Sequence, residues 1–346
     1  MEGLQLERWQ LLFLLILLIL HTIVFFLGLI GNISVIRVVR STRSMHTATN
    51  YLLANLALAD ILTLLTNPYL VGQMFVQVVR FQDRSWSPVT KDWICRLIVS
   101  GGVVGVFIGV SIGFLLVVAV ERYHAMVKPM SARLRLEKEQ VWKVAVGVWI
   151  IAILTNIPIF RDIYFDAKSK HCFVAWHFTT GEGMATYVGC YMAILNCVSG
   201  ILIAFCYVSI LKGLYITNTI CSETVPTNDG RDSKKKLAKL VATVTASFYI
   251  LLIPYAIFTI YMAAAEKPRG NTAYSNDALF VSFYVTSSLC MVNSCINPIL
   301  YALQSSSYRR GFAKLYPCCM KHQEEEMAAP ARHANPSCNS TTQAHA

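Results

Sequence analysis

Long apolar runs recur seven times along this chain, at about 11–39, 48–78, 94–127, 140–160, 184–214, 236–264 and 278–303. At a rise of ~1.5 Å per residue, each covers the ~30 Å hydrocarbon core of a bilayer. Lipid offers no partner to backbone N–H and C=O groups, so runs of this length fold as helices that satisfy themselves. The fold class that follows is an all-α membrane protein built as a seven-helix bundle. Its composition agrees: of 346 residues, 55% are hydrophobic and 14% charged, and the mean hydropathy is +0.51.

An odd number of spans puts the two ends of the chain on opposite sides. With the N-terminus outside, 20 of the 30 Lys and Arg fall on the inner side and 10 on the outer, while the acidic residues other than Asp60 split 9 and 9. The net charge of +11 therefore belongs to the inner face, as the positive-inside rule requires. A basic face on a soluble fold, the mark of a nucleic-acid binder, is missing from this pattern. The expected organisation is an outer segment at 1–10, a membrane domain at 11–303, an amphipathic segment at 304–319 and a disordered inner tail at 320–346. The first span is expected to serve as its own targeting signal. The location that follows is the plasma membrane, crossed several times, with the N-terminus extracellular and the C-terminus cytoplasmic.

Of eleven cysteines, Cys95 and Cys172 are expected to face the oxidising exterior in loops or helix ends, which makes them the natural disulfide pair. Between spans four and five, Ile163-Tyr164-Phe165 and Cys172-Phe173-Val174 flank a polar turn and read as a β-hairpin. After Tyr301 the apolar positions 308, 312, 315 and 316 share one face, which reads as a short amphipathic eighth helix at the membrane interface. Cys318 and Cys319 end it and are placed for palmitoylation.

Polar residues inside the spans are costly and mark function. Asp60 lies at mid-membrane, where a carboxylate must be neutral or share a cation. Arg122 is a fixed cation at an inner helix end, with Glu121 beside it as an ion-pair partner. Pro254 and Pro298 each remove a helix hydrogen bond and make a hinge.

Six motifs in order carry a family resemblance: Gly31-Asn32, Asn55-Leu56-Ala57-Leu58-Ala59-Asp60, Glu121-Arg122-Tyr123, the downstream Pro129-Met130, Trp149, and Asn297-Pro298-Ile299-Leu300-Tyr301. Over residues 20 to 319 the chain resembles the rhodopsin-like (class A) G-protein-coupled receptors. The resemblance implies a heterotrimeric G protein as partner, with outward movement of the sixth helix opening its groove. Arrestin is a further partner of this kind of receptor. By the same resemblance Arg122, Tyr207 and Tyr301 converge in the active state, and Met130 enters an apolar pocket of the G protein. Asp60, Ser111, Asn293 and Asn297, near Asn32, build a pocket for a sodium ion, with Asp60 and Ser111 as metal ligands. No cofactor is otherwise required.

The chain departs from the family where activation is relayed. The tryptophan before the sixth-helix proline is Leu252, and the fifth-helix proline is Ser199. The connector becomes Ser199, Ile112 and Phe248, so the aromatic switch cannot work in its usual form. Lys234 replaces an acid that in some members locks the arginine, which implies raised basal activity. Cys95 lies two residues farther from Arg122 than is usual, which implies a bulge in the outer half of the third helix.

The ligand is narrowed by exclusion. Met291 replaces a retinal-binding lysine, and Val104 or Gly102 stands where an amine receptor has an aspartate. The hairpin loop with Trp176 resembles peptide receptors, so a short extracellular peptide is the expected ligand, with a lipid or other small apolar molecule, or constitutive signalling without a ligand, as the alternatives. Candidate pocket residues are Gln73, Val104, Trp176, Tyr187, Tyr191, Tyr255, Phe258, Phe283, Tyr284 and Ser287. A transporter or channel would need a polar path, and an enzyme a catalytic cluster; the spans offer neither pattern.

Overall fold

The computed structural model describes residues 7–66, 86–99, 102–127, 136–161, 163–168, 171–174, 191, 194–213, 228–264 and 277–317. The expected residues Gln73, Pro129, Met130, Trp176, Tyr187, Cys318 and Cys319 lie outside these. Among the described residues, seven helical segments are long and apolar enough to cross a membrane. Their principal helices are α1 (Arg8–Ser41), α2 (Ala48–Thr66), α3 (Gly102–Val127), α4 (Val141–Arg161), α5 (Ser199–Leu211), α6 (Asn228–Ala264) and α7 (Asp277–Gln304). The chain is a multi-pass membrane protein.

Helix α3 is the central post. Val110, Ile112, Phe114, Leu115, Val118 and Ala119 are all buried along it, and it packs against α2, α4, α5 and α6. The outer surfaces of α1, α4 and α5 carry exposed Leu12, Ile19, Ile151, Ile201 and Val208, a polarity that only lipid suits. Hydroxyls within the helices mostly bond back to the preceding turn, as Thr63 does to the Ala59 carbonyl and Thr286 to that of Ser282.

Three details refine the sequence reading. Helix α6 begins at Asn228, eight residues before the span expected at 236–264. The expected bulge takes the form of a π-turn at Cys95–Val99, following a short helix at Pro88–Ile94 and preceding the glycine-rich stretch. The short helix α8 (Ser306–Leu315) turns its apolar face onto the bundle. Tyr308, 2% exposed, stacks on Tyr301 with ring centroids 4.9 Å apart. Gly311 fits under Val38 of α1, where an added Cβ would lie 2.4 Å from a methyl carbon. Tyr316 pairs its hydroxyl with Ser34 of α1 at 2.7 Å.

Strands β1 (Ile163–Asp166) and β2 (His171–Val174) pair antiparallel, with Asp166 opposite His171 and Ile163 opposite Val174.

Candidate functional site

The polar centre follows from a proline. Pro298 has no N–H, so the Ser294 carbonyl one turn earlier loses its helix donor. Asn32 supplies a replacement: its Nδ2 donates to Ser294 O at 2.7 Å and to Gly28 O at 2.9 Å. Gly31 makes this reach possible, because a Cβ there would lie 2.9 Å from the Pro298 ring. Beside it, Asn297 Nδ2 donates to Asp60 Oδ2 at 2.8 Å, joining α7 to α2 across 237 positions. Asp60, Ser111, Asn293 and Asn297 are all at most 5% exposed. The side-chain carbonyl oxygens of Asn32, Asn293 and Asn297 are buried with no hydrogen-bond partner. Ser294 was missed by the sequence reading, although the carbonyl four residues before a proline is a signal that names it.

At the other end of α3, Arg122 is held by its own neighbour. Its Nε and one terminal nitrogen donate to the two carboxylate oxygens of Glu121 at 2.5 and 2.7 Å. The planar guanidinium fork suits this bidentate grip. Glu121, 7% exposed, also accepts the Thr49 hydroxyl of α2 at 2.8 Å. Thr49 had no distinguishing mark in the sequence. Tyr207 of α5 meets Thr245 of α6 at 3.3 Å. Tyr301 is buried against Tyr308, and its hydroxyl has no partner. Tyr123 packs against His124 and Phe205. In this conformation the charge on Arg122 is paired, with its side chain still 15% exposed.

The relay residues Ile112, Ser199, Phe248 and Leu252 are buried, at 2%, 6%, 2% and 3% exposure, and Pro254 sits within α6. Ser199 makes an interhelix hydrogen bond to Tyr249 of α6 at 2.7 Å, a residue absent from the expected relay.

Toward the Cys95 end, the candidate ligand residues divide. Tyr284 is 3% exposed and packs with Leu14, Leu17 and Phe280 in the seam between α1 and α7. Tyr191 turns toward α4, accepting from Asn156 Nδ2 at 3.2 Å. Asn156 is fully buried and fits only because Gly105 lacks a Cβ, which would lie 2.6 Å from its Oδ1. As a polar residue inside an apolar run, Asn156 was detectable and was passed over. Phe258 of α6 faces Phe283 of α7 with centroids 6.0 Å apart. Ser287 is buried, its hydroxyl unpartnered, while Val104 and Tyr255 are half-buried.

The hairpin is tied down at two points, and one of them is linked to the end of α4. Cys95 and Cys172 form the disulfide. Asp92 accepts the Phe165 N–H at 2.9 Å and pairs with Arg96 at 2.7 Å. Arg96 in turn donates to the Phe160 and Arg161 carbonyls at 2.9 and 2.8 Å, capping the end of α4. A cation there satisfies orphan carbonyls and opposes the negative end of the helix dipole.

Seven spans around an ion-paired arginine and a buried aspartate–asparagine pair define a helical signalling receptor of the rhodopsin type. The chain belongs to the 7 transmembrane receptor (rhodopsin family), whose model matches residues 31–301. Receptors of this family signal and are not enzymes. The chain is 30% identical over 276 residues to somatostatin receptor type 5 of Rattus norvegicus, covering 78% of this chain and 69% of that receptor. It is 25% identical over 289 residues to tachykinin-like peptides receptor 86C of Drosophila melanogaster, covering 80% of this chain and 53% of the relative. To a purinoceptor of Homo sapiens it is 27% identical over 265 residues, covering 75% of this chain and 66% of the relative.

Proposed function

We propose that the chain is a plasma-membrane receptor that binds a short extracellular peptide and drives nucleotide exchange on a heterotrimeric G protein. The observation that carries this reading is the bidentate Glu121–Arg122 pair, held to α2 by Thr49. Release of that pair frees a guanidinium for a protein partner when α6 tilts outward. The N-terminus is extracellular, which puts the Arg122 end in the cytoplasm beside the basic residues of α6 and α8. Two of the three relatives above are named for peptides. The Phe258–Phe283 contact and the unpartnered Ser287 hydroxyl offer an apolar wall and a polar anchor for a ligand. The test is a peptide library applied to the full chain in lipid nanodiscs with a panel of purified G proteins, scored by nucleotide exchange. A peptide that accelerates exchange on one of them supports the reading; the absence of any exchange, basal or stimulated, overturns it. Arrestin binding and acylation of Cys318 and Cys319 belong to the same proposal.

Asp60, Ser111, Asn293 and Asn297 would hold a sodium ion. Buried asparagine oxygens without partners beside a carboxylate are the hard donors that a small cation takes. The ion would neutralise a charge that the membrane interior otherwise penalises. Replacing choline by sodium at equal ionic strength is expected to raise the thermal midpoint by ~2–4 °C, through binding to the folded state alone. Asp60→Asn should abolish the increment. A wild-type midpoint indifferent to the cation would remove sodium from the account.

A further inference from the structure

The joint between α5 and α6 is polar. Ser199 Oγ lies 2.7 Å from the Tyr249 hydroxyl and also donates to the Leu195 carbonyl of its own helix. A serine hydroxyl has one proton to give. Either hydroxyl can donate the contact to α6; when the serine proton goes to its own helix, Tyr249 is the donor. The site is shaped for it: the π-turn Ile194–Val198 ends where Ser199 begins, and the Tyr249 ring passes over Gly200, 3.6 Å from where a Cβ would stand. Phe248, edge-on to the Tyr249 ring at 5.9 Å, packs alongside it. One turn toward the Arg122 end, Thr245 meets Tyr207, so the two helices are tied twice along one seam.

We propose that Tyr249 is a positioning residue for activation: the hydrogen bond between its hydroxyl and Ser199 holds α6 against α5 in the resting conformation and is surrendered when α6 moves outward. This rests on the receptor reading above and goes beyond it, because it assigns the restraint to a residue pair outside the expected relay. Leu252, buried one turn from Tyr249, has no group that can hydrogen-bond, and a proline at 199 would offer no side-chain acceptor. The tie exists in the same conformation that keeps Arg122 paired with Glu121, so it favours the resting state. Loss of the Tyr249 hydroxyl leaves Ser199 still bonded to Leu195. Loss of Ser199 instead leaves a tyrosine hydroxyl unpartnered between helices, which costs more.

The test uses the full chain in nanodiscs with Tyr249→Phe, Ser199→Ala, Ser199→Thr and the double variant Tyr249→Phe/Ser199→Ala. Two readouts are taken: basal G-protein nucleotide exchange, and the distance between spin labels at positions 142 and 236 in a background without reactive cysteines. Tyr249→Phe is expected to raise the outward α6 population and basal exchange ~3–10-fold, the scale of one buried hydrogen bond. Ser199→Ala should do at least as much, the double variant no more than the larger single, and Ser199→Thr should behave as wild type. Label distances unchanged in Tyr249→Phe, or single effects that multiply in the double variant, would overturn the proposal. If ligand-stimulated exchange works while the distances stay fixed, the tie is wrong and the receptor reading stands. If distances shift as expected and no G protein ever responds, the tie stands and the receptor reading is wrong.

Discussion

Arg122→Ala is expected to reduce G-protein nucleotide exchange by ~30-fold or more at matched receptor density, the range for truncating one partner of a desolvated charge contact. The variant should still reach the cell surface. Arg122 sits within the last two turns of α3, and its removal leaves Glu121 with the Thr49 hydroxyl as a remaining partner. Some loss of stability follows, because Glu121 is only 7% exposed and a buried carboxylate without its cation is costly. Arg122→Lys separates charge from shape. A lysine keeps the positive charge and loses the planar fork that reaches both Glu121 oxygens, so exchange should fall between wild type and the alanine variant. Exchange assays on purified receptor, with surface labelling in parallel, read the two effects apart. An alanine variant as active as wild type would mean that the guanidinium does not meet the transducer.

Cys95→Ser and Cys172→Ser are each expected to remove most folded receptor from the cell surface. The disulfide closes a segment of 77 positions, and chain-entropy reasoning assigns such a link roughly 4.5 kcal/mol. That is a large share of the ~5–15 kcal/mol by which a folded protein outlasts its unfolded chain. Because the two cysteines act as one bond, the double variant should be no worse than either single. The hairpin keeps its anchors to Asp92, and the α4 end keeps Arg96, so the surviving fraction should retain the local register there. Surface biotinylation and thermal unfolding of the purified variants provide the measurement. Wild-type surface levels in both singles would show that the disulfide is dispensable.

Apolar periodicity in this chain could only announce which residues are out of place in lipid, and there it served well. Asp60, Arg122 and Asn297 stand out because a charge or amide in hydrocarbon demands a partner, and each has one: Asn297 for Asp60, Glu121 for Arg122. The disulfide was legible because the topology left two cysteines on the oxidising side. The amphipathic helix was legible as a pattern and its destination was not. Positions 308 and 312 share a face whether that face meets lipid or protein, and only the glycine notch of Gly311 against Val38 decides for protein.

The linear chain, then, determined the membrane environment, the number of crossings and the identity of the buried polar groups, since these depend on transfer energies that each residue carries with it. The tertiary structure alone decided who pairs with whom. Asn156 with Tyr191, Arg96 with the end of α4 and Ser199 with Tyr249 all depend on how far each helix is rotated about its axis and slid along its neighbour. Those two quantities are set by the packing of all seven helices together, with glycines such as Gly105 opening the space, and no local pattern encodes them.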